Sequence, residues 1–316
     1  MNIQHIANKV LKSNGTYKSI NDIKTGDRIM NMHGKPVRVR NIEKRKANHR
    51  TILINIKHDN WFSNIVLGEE ANILIWNNEQ KKPNWIQAGN FSSEYEHVTL
   101  LPTQMNWDIP EIMKINYKNM CLTPSYELGF LVGAYLRLGY QREAYDKSFK
   151  TINFHCDTSS KNTVDAIRAY MKLIFGVEAI NKSQTYFFDL HFDDSDVIKF
   201  FGRLHTGGSR KKLPHKMMCN DLNYVQGLNS GIMFSGTDGH PKITDNDTRE
   251  ILYWTSLLLG KPLNYGQLKR SYLGKEYLTA RSVLHAVEKS MTDLSFIDVE
   301  CDTGSYILNN LIVRND

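Results

Sequence analysis

Two glycines, Gly129 and Gly133, stand four residues apart inside the apolar run ELGFLVGAYLRLGY (residues 127–140). The run has the length and content of a buried helix, where each glycine costs about 1 kcal/mol relative to alanine. Two glycines on one helical face call for a reason, and the usual one is a second helix backbone lying very close. A partner is present in YVQGLNSGIMFSGTDGH (residues 224–240), where Gly227, Gly231 and Ser235 repeat the spacing. The pair predicts two helices packed face to face, with two halves of a domain arranged about them. A tight helix contact inside an ordinary α/β core is the alternative that spacing alone leaves open.

On either side of this pair the pattern changes. Residues 1–101 read as short strands separated by turns: Tyr17–Ile23, Arg28–Met32, Val37–Ile42, Thr51–Ile56 and Asn72–Trp76, several alternating with the period of half-buried strands. Between the two glycine stretches the reading alternates. It runs strand at Lys150–Cys156, amphipathic helix at Lys161–Phe175 with Gly176 as its cap, strand at Thr185–Phe192, and helix at Ser195–Leu204 opened by Asp193 and Asp194. A further helix spans Thr248–Gly260. The fold class is therefore α+β.

With 41% hydrophobic residues in a chain of 316, there is ample material for a core of two domains, or of one domain inserted into another. No apolar run approaches the length of a membrane span and no signal-peptide pattern opens the chain, so the expectation is a monomer in a cytoplasm, without membrane contact. Cys121, Cys156, Cys219 and Cys301 are scattered, with no CxxC pair to hold zinc. A formal net charge of +7 makes a polyanion a plausible partner. The cations gather at two places. One is the loop Gly207-Gly208-Ser209-Arg210-Lys211-Lys212-Leu213-Pro214, which composition alone reads either as a phosphate contact or as a solvated loop. The other is the tyrosine-rich Tyr265–Tyr277, with Lys269, Arg270 and Lys275, readable as a DNA-facing strand pair or as an ordinary hairpin.

The two glycine stretches resemble the paired motifs of the LAGLIDADG homing endonucleases, particularly those carried inside inteins. The chain ends extend the likeness. TYKSINDIKTGDRIMNMHGKPVRV (16–39) and NWIQAGNF (84–91) resemble the N-terminal blocks of a Hint (intein) domain, and FIDVECDTGSYILNNLIVRND (296–316) its C-terminal blocks. The resemblance implies an all-β Hint domain built from residues 1–105 plus 282–316. Into it would be inserted, at 106–281, a pseudo-two-fold αββαββα endonuclease of a mobile genetic element, acting on double-stranded DNA in a bacterial or phage-infected host cell.

In that family each motif helix delivers one carboxylate to divalent metal, Mg²⁺ or Mn²⁺, between the scissile phosphates. Here the first motif closes Arg137-Leu138-Gly139, with leucine at the acid position, and the second closes Thr237-Asp238-Gly239. Gly133 to Gly139 is six residues but Gly231 to Gly239 is eight, so two registers compete. Superposing the closing Asp-Gly, the preferred choice, makes Asp238 the catalytic and metal-holding acid, with Met233 and Ser235 on the helix face. The family's Lys-x-x-Pro phrase implies Lys211 as the residue that polarises water or steadies the leaving oxygen, with Lys212 as fallback. Arg210, Lys269, Arg270 and Lys275 are the implied DNA contacts. With one motif acid, the outcomes are a nickase, a site completed by another carboxylate such as Glu127 or Glu143, or a protein that binds DNA without cutting. Binding ranks above cutting.

Splicing chemistry is expected to be lost. Met1 stands where a Cys or Ser nucleophile would be, and Gly68-Glu69-Glu70-Ala71 replaces the family's TxxH. Asp298 remains, but Gly304 and Arg314 replace the two histidines, and Asn315 is followed by Asp316 rather than an acceptor Cys, Ser or Thr. The implied product is a freestanding descendant of an intein; self-cleavage at Asn315 is a remoter alternative.

Overall fold

The structure, a computed structural model, describes residues 8–46, 51–58, 61–91, 101–102, 105–110, 116–118, 120–143, 150–157, 160–183, 187–206, 210–233, 246–260, 267–285, 295–309 and 311–314. The chain divides into two compact units, Met1–Asp108 with Gly260–Asp316, and Ile109–Leu259.

The first unit begins with short strands because turn residues punctuate it every few positions. They are β1 (Lys9–Leu11), β2 (Tyr17–Ser19), β3 (Arg28–Met30), β4 (Pro36–Lys46), β5 (Thr51–His58), β6 (Trp61–Gly68), β7 (Asn72–Asn77), β8 (Lys82–Gln87) and β9 (Leu101–Pro102). Gly26 and Gly34 adopt positive φ in the turns before β3 and β4.

The second unit starts with the two-residue strands β10 (Asn116–Tyr117) and β11 (Met120–Cys121). There follow α1 (Tyr126–Leu138), β12 (Gly139–Glu143), β13 (Lys150–Asp157), α2 (Lys161–Phe175), β14 (Ile180–Ser183), β15 (Phe187–Phe192) and α3 (Ser195–Gly202), an αββαββα order. Then come α4 (Leu222–Met233) and α5 (Asn246–Leu259). The chain next returns to the first unit with β16 (Gln267–Tyr272), β17 (Lys275–His285), β18 (Ser295–Cys301), β19 (Ser305–Leu308) and β20 (Leu311–Arg314).

Both ends of the chain enter one sheet of the first unit, ordered β2-β1-β19-β20-β7-β8. Smaller sheets, β18-β4-β3 and β16-β17-β5-β6, complete it, and Val10, Ile29, Ile54, Ile65, Ile73, Leu308 and Leu311 are among its buried core residues. The hairpin β16-β17 is joined to this unit because β17 continues past it to pair with β5, Arg281 opposite Lys57 through His285 opposite Leu53. Lys269, Arg270 and Lys275 therefore belong to the first unit, not to the one that carries the glycine motifs. Residues 106–108 and 260–281, expected inside the inserted domain, also fall in the first unit.

In the second unit, local signals set the helix ends. Ser125 Oγ accepts from Leu128 N–H at the start of α1, and Asp194 Oδ1 accepts from Asp196 and Val197 N–H at the start of α3. Gly176 closes α2 in the left-handed conformation, φ 71°. The antiparallel sheet β12-β13-β15-β14 packs its inner face, Phe154 and Phe192, among aromatic rings of the helices, including Tyr135 and Phe201.

The glycine helices α1 and α4 meet as the spacing demands. A Cβ on Gly129 would overlap Tyr224 O and lie 2.8 Å from Leu228 N; on Gly133 it would overlap Leu228 O. Reciprocally, Gly227 abuts Tyr126 O and Gly231 abuts Phe130 O. Every one of these contacts maps onto its counterpart when Gly129 is matched with Gly227 and Gly133 with Gly231. The packing thus obeys a local two-fold symmetry, and it overturns the preferred register, which placed Met233 and Ser235 on the face. Backbone approach decides this: only glycine lets a carbonyl come so close, so the glycine faces are the equivalent ones.

A second correction concerns the flanks. After α1 a complete set of two β-hairpins and two helices follows, but after α4 the chain reaches α5 across residues 234–245 and leaves the unit at Leu259. Among the described residues this stretch shows α4 and α5 and no strand of the expected second αββαββα half. The segment 234–245, with Asp238, lies outside the described residues.

Candidate nucleic-acid interface

Strand pairing fixes which side chains share the outer face of the four-stranded sheet. Tyr140 is opposite Asn153, Arg142 opposite Thr151, His155 opposite Asp189, and Asn153 opposite His191. This face is the counterpart of the apolar one and is bound together by side-chain hydrogen bonds. Asn153 Oδ1 lies 2.8 Å from His191 Nδ1, and Asn153 Nδ2 donates to Thr151 Oγ1 at 3.0 Å. His155 Nδ1 is 3.0 Å from Asp189 Oδ1, and the Tyr140 hydroxyl also donates to Asp189. Burial first, and then the adjacent Asp189 charge, push that hydroxyl above its ordinary value, so it remains a donor at neutral pH. Arg142 and His155 are exposed, while Thr151 and Asn153 are buried. The surface thus offers imidazole, phenol and guanidinium groups, with the buried Asn153 amide holding His191 in place beneath them. Sequence reading missed it, although the alternation in TINFHC (151–156) and FDLHF (188–192) carried the signal.

On either side of residues 207–209, which lie outside the described residues, the basic loop pairs with itself. Lys212 N–H donates to Leu204 O at 2.7 Å, and Thr206 N–H to Arg210 O at 3.1 Å. Alternation along it sends neighbouring cations to different partners. Arg210 Nε donates to Asp247 Oδ2 at 2.6 Å, joining the hairpin to the first turn of α5. Lys211 turns inward, its Nζ donating to Tyr135 O at 2.9 Å and Gly139 O at 2.6 Å. Lys212 is exposed and Leu213 is buried. Beside Lys211, Tyr135 Oη lies 2.9 Å from His205 Nε2, and burial pushes the Tyr135 hydroxyl well up.

These positions allow a direct test of fit for the divalent metal that the motif resemblance implies. At the end of α1, Leu138 has no side-chain oxygen to offer, and the carbonyls of Tyr135 and Gly139 already accept from an ammonium. Counted along the sequence from the packed glycines, the counterpart of Leu138 is Gly236 and Asp238 stands two residues past it, in a segment outside the described residues. At the described end, that of α1, the acid position carries no carboxylate, so the residues there do not fit the metal. Among the described residues no cluster of three His, Cys, Asp or Glu side chains could hold one. Glu127 lies in the first turn of α1, at the end opposite Leu138, and the side chain of Glu143 is not described.

The remaining expected residues sit in the first unit. Lys269 and Arg270 lie on β16; exposed Lys275 opens β17, with Nζ 3.1 Å from His33 Nδ1. Asp298 lies on β18 opposite Glu43. Gly304 occupies a left-handed turn, φ 67°, where a histidine would be strained by about 1 kcal/mol. The Arg314 guanidinium lies over the Trp85 ring at 4.9 Å. Met1 and Asn315 lie outside the described residues. Two of the buried thiols are held protonated by burial, Cys156 at about 12 and Cys219 at about 11, which removes them as nucleophiles at neutral pH. Among the described residues no helix is long and apolar enough to cross a membrane. No family model matches the chain, and no curated protein matches it in sequence.

Proposed function

We propose that the second unit is a duplex-DNA-binding module of LAGLIDADG type that does not hydrolyse its ligand. The observation that carries this reading is the end of α1, where Leu138 stands at the position that needs a carboxylate and Lys211 holds the neighbouring carbonyls; counted from the packed glycines, the sequence has Gly236 at the matching position of the second motif. Without a carboxylate there, that helix end cannot anchor metal between two phosphates. The binding half of the function rests on the outer face of β12-β13-β15-β14. An antiparallel ribbon of this kind fits the major groove, where His155 and His191 would meet base edges and Arg142 would meet a guanine or a phosphate. Exposed Lys212 adds a phosphate contact, which positions the protein without specifying sequence.

The test is duplex binding by the full chain across a salt series. With about three phosphate contacts, affinity should fall roughly 40-fold between 50 and 200 mM salt. Arg142→Glu should weaken binding to all sequences, whereas His191→Ala should alter the preference among sequences. Salt-insensitive association, or an unaffected Arg142→Glu variant, would instead make the sheet an ordinary solvated face. The first unit we read as a Hint-type domain that has lost splicing, supported by the entry of both chain ends into one sheet and by Gly304 and Arg314 at the histidine positions. Intact-mass measurement after long incubation with thiol should show full-length chain; a ligated or shortened product contradicts this.

A further inference from the structure

The end of α1 presents an electrostatic arrangement that neither motif nor loop composition announces. A helix C-terminus carries partial negative charge on carbonyls that lack intrahelical donors, and it favours a cation. Tyr135 O already accepts from Gly139 N–H at the cap, and the Lys211 ammonium adds a second bond there and one to Gly139 O. The ammonium also lies 5.6 Å from the centre of the Tyr135 ring, close enough for its π face to contribute. Lys211 reaches this position because the hairpin is pinned on both sides, by the bridge between His205 and Lys211 and by Lys212 N–H on Leu204 O.

We propose that Lys211 is the resident cation of this helix end: its ammonium occupies the place a divalent ion would need, making the site metal-independent and fastening the 204–212 hairpin onto α1. Lys211 is then a positioning residue. It is neither a general acid nor a phosphate ligand, and it sets where its outward neighbours Arg210 and Lys212 stand. Two chemical facts exclude a metal there together: the carbonyl oxygens are spoken for, and Leu138 supplies no compensating negative charge. Restoring the charge alone should not restore a metal, because a carboxylate at position 138 would pair with the ammonium.

The test uses the full chain in an Asp238→Asn background, so that this carboxylate contributes no binding, with Mn²⁺ as the probe, followed by electron paramagnetic resonance and thermal unfolding. It involves no nucleic acid, so its failure is separate from any failure of DNA binding. The parent should unfold at the same temperature in Mn²⁺ and in chelator. Lys211→Met should unfold about 2–6 °C lower, and Lys211→Arg, which can still donate to carbonyls, should recover most of the loss. Leu138→Asp should bind no Mn²⁺, whereas Leu138→Asp with Lys211→Ala should bind it at least tenfold more tightly than either single variant. Mn²⁺ binding by the parent or by Leu138→Asp alone would overturn the proposal, as would a Lys211→Met variant as stable as the parent. If the variants lacking the ammonium do not fold, Leu138→Asp decides, since it keeps Lys211.

Discussion

Helices α1 and α4 are near-equivalent where they touch and unlike in all that follows them. Each presents two glycines to the other's carbonyls in the same register, yet α1 leads into a four-stranded sheet and two further helices while, among the described residues of the unit, α4 is followed by α5 alone. The contrast separates two demands on a motif. Backbone-to-backbone packing tolerates no side chain and so fixes the glycines. What the helix ends deliver is not fixed by that packing, and under the proposed binding role it is free to change. The symmetric part of the unit is its scaffold, and the proposed binding face lies in the asymmetric part.

If that division is right, damage to the scaffold should be equal on both helices. Gly129→Val and Gly227→Val should each cost about 3 kcal/mol or more, since the obstructing atoms are backbone of the partner helix and cannot step aside. Chemical denaturation reads this directly, and a tolerated valine at one position would break the symmetry. An intermediate effect is expected on the half that kept its repeat. Asp194 caps α3, and Asp194→Ala should cost about 1–2 kcal/mol at neutral pH.

That loss has a defined pH dependence. Burial alone would raise the Asp194 carboxyl, but the N–H groups of Val197 and Asp196, with Lys118, outweigh it and hold the carboxyl below its ordinary value. Its contribution is therefore complete above the unfolded carboxylate range near about 3.9 and disappears as pH falls through the lower folded value. The difference between wild type and Asp194→Ala should shrink accordingly in acid; a gap that widened there would reverse the assignment. The smallest effect belongs to Gly176→Ala, about 1 kcal/mol, because the position is left-handed but open, with nothing for a Cβ to strike.

Legibility in the sequence followed the range of the interactions. The helix Lys161–Phe175 and its glycine cap were readable to the residue, because periodicity and capping are local. The contact of the two glycine helices was readable too, but its register was not: a closing Thr-Asp-Gly looked like the better landmark, while the carbonyls that select the glycine face belong to another helix. The membership of β16 and β17 was hidden for a similar reason, since their sheet is decided by β5, more than 200 residues earlier. At the loop, composition left a phosphate contact and a solvated loop both open for its three cations. Structure divides them, because alternation along an extended hairpin sends Lys211 inward to α1 and leaves Lys212 exposed.

The central claim, binding without cutting, is tested most directly by recovering a randomised duplex DNA pool bound to the full chain in Mn²⁺ and resolving both strands on a denaturing gel. The account predicts a bound fraction whose strands are all intact. Nicked or cut strands in that fraction, lost in Asp238→Asn, would show that a carboxylate beyond the packed helix register works after all, and would contradict it.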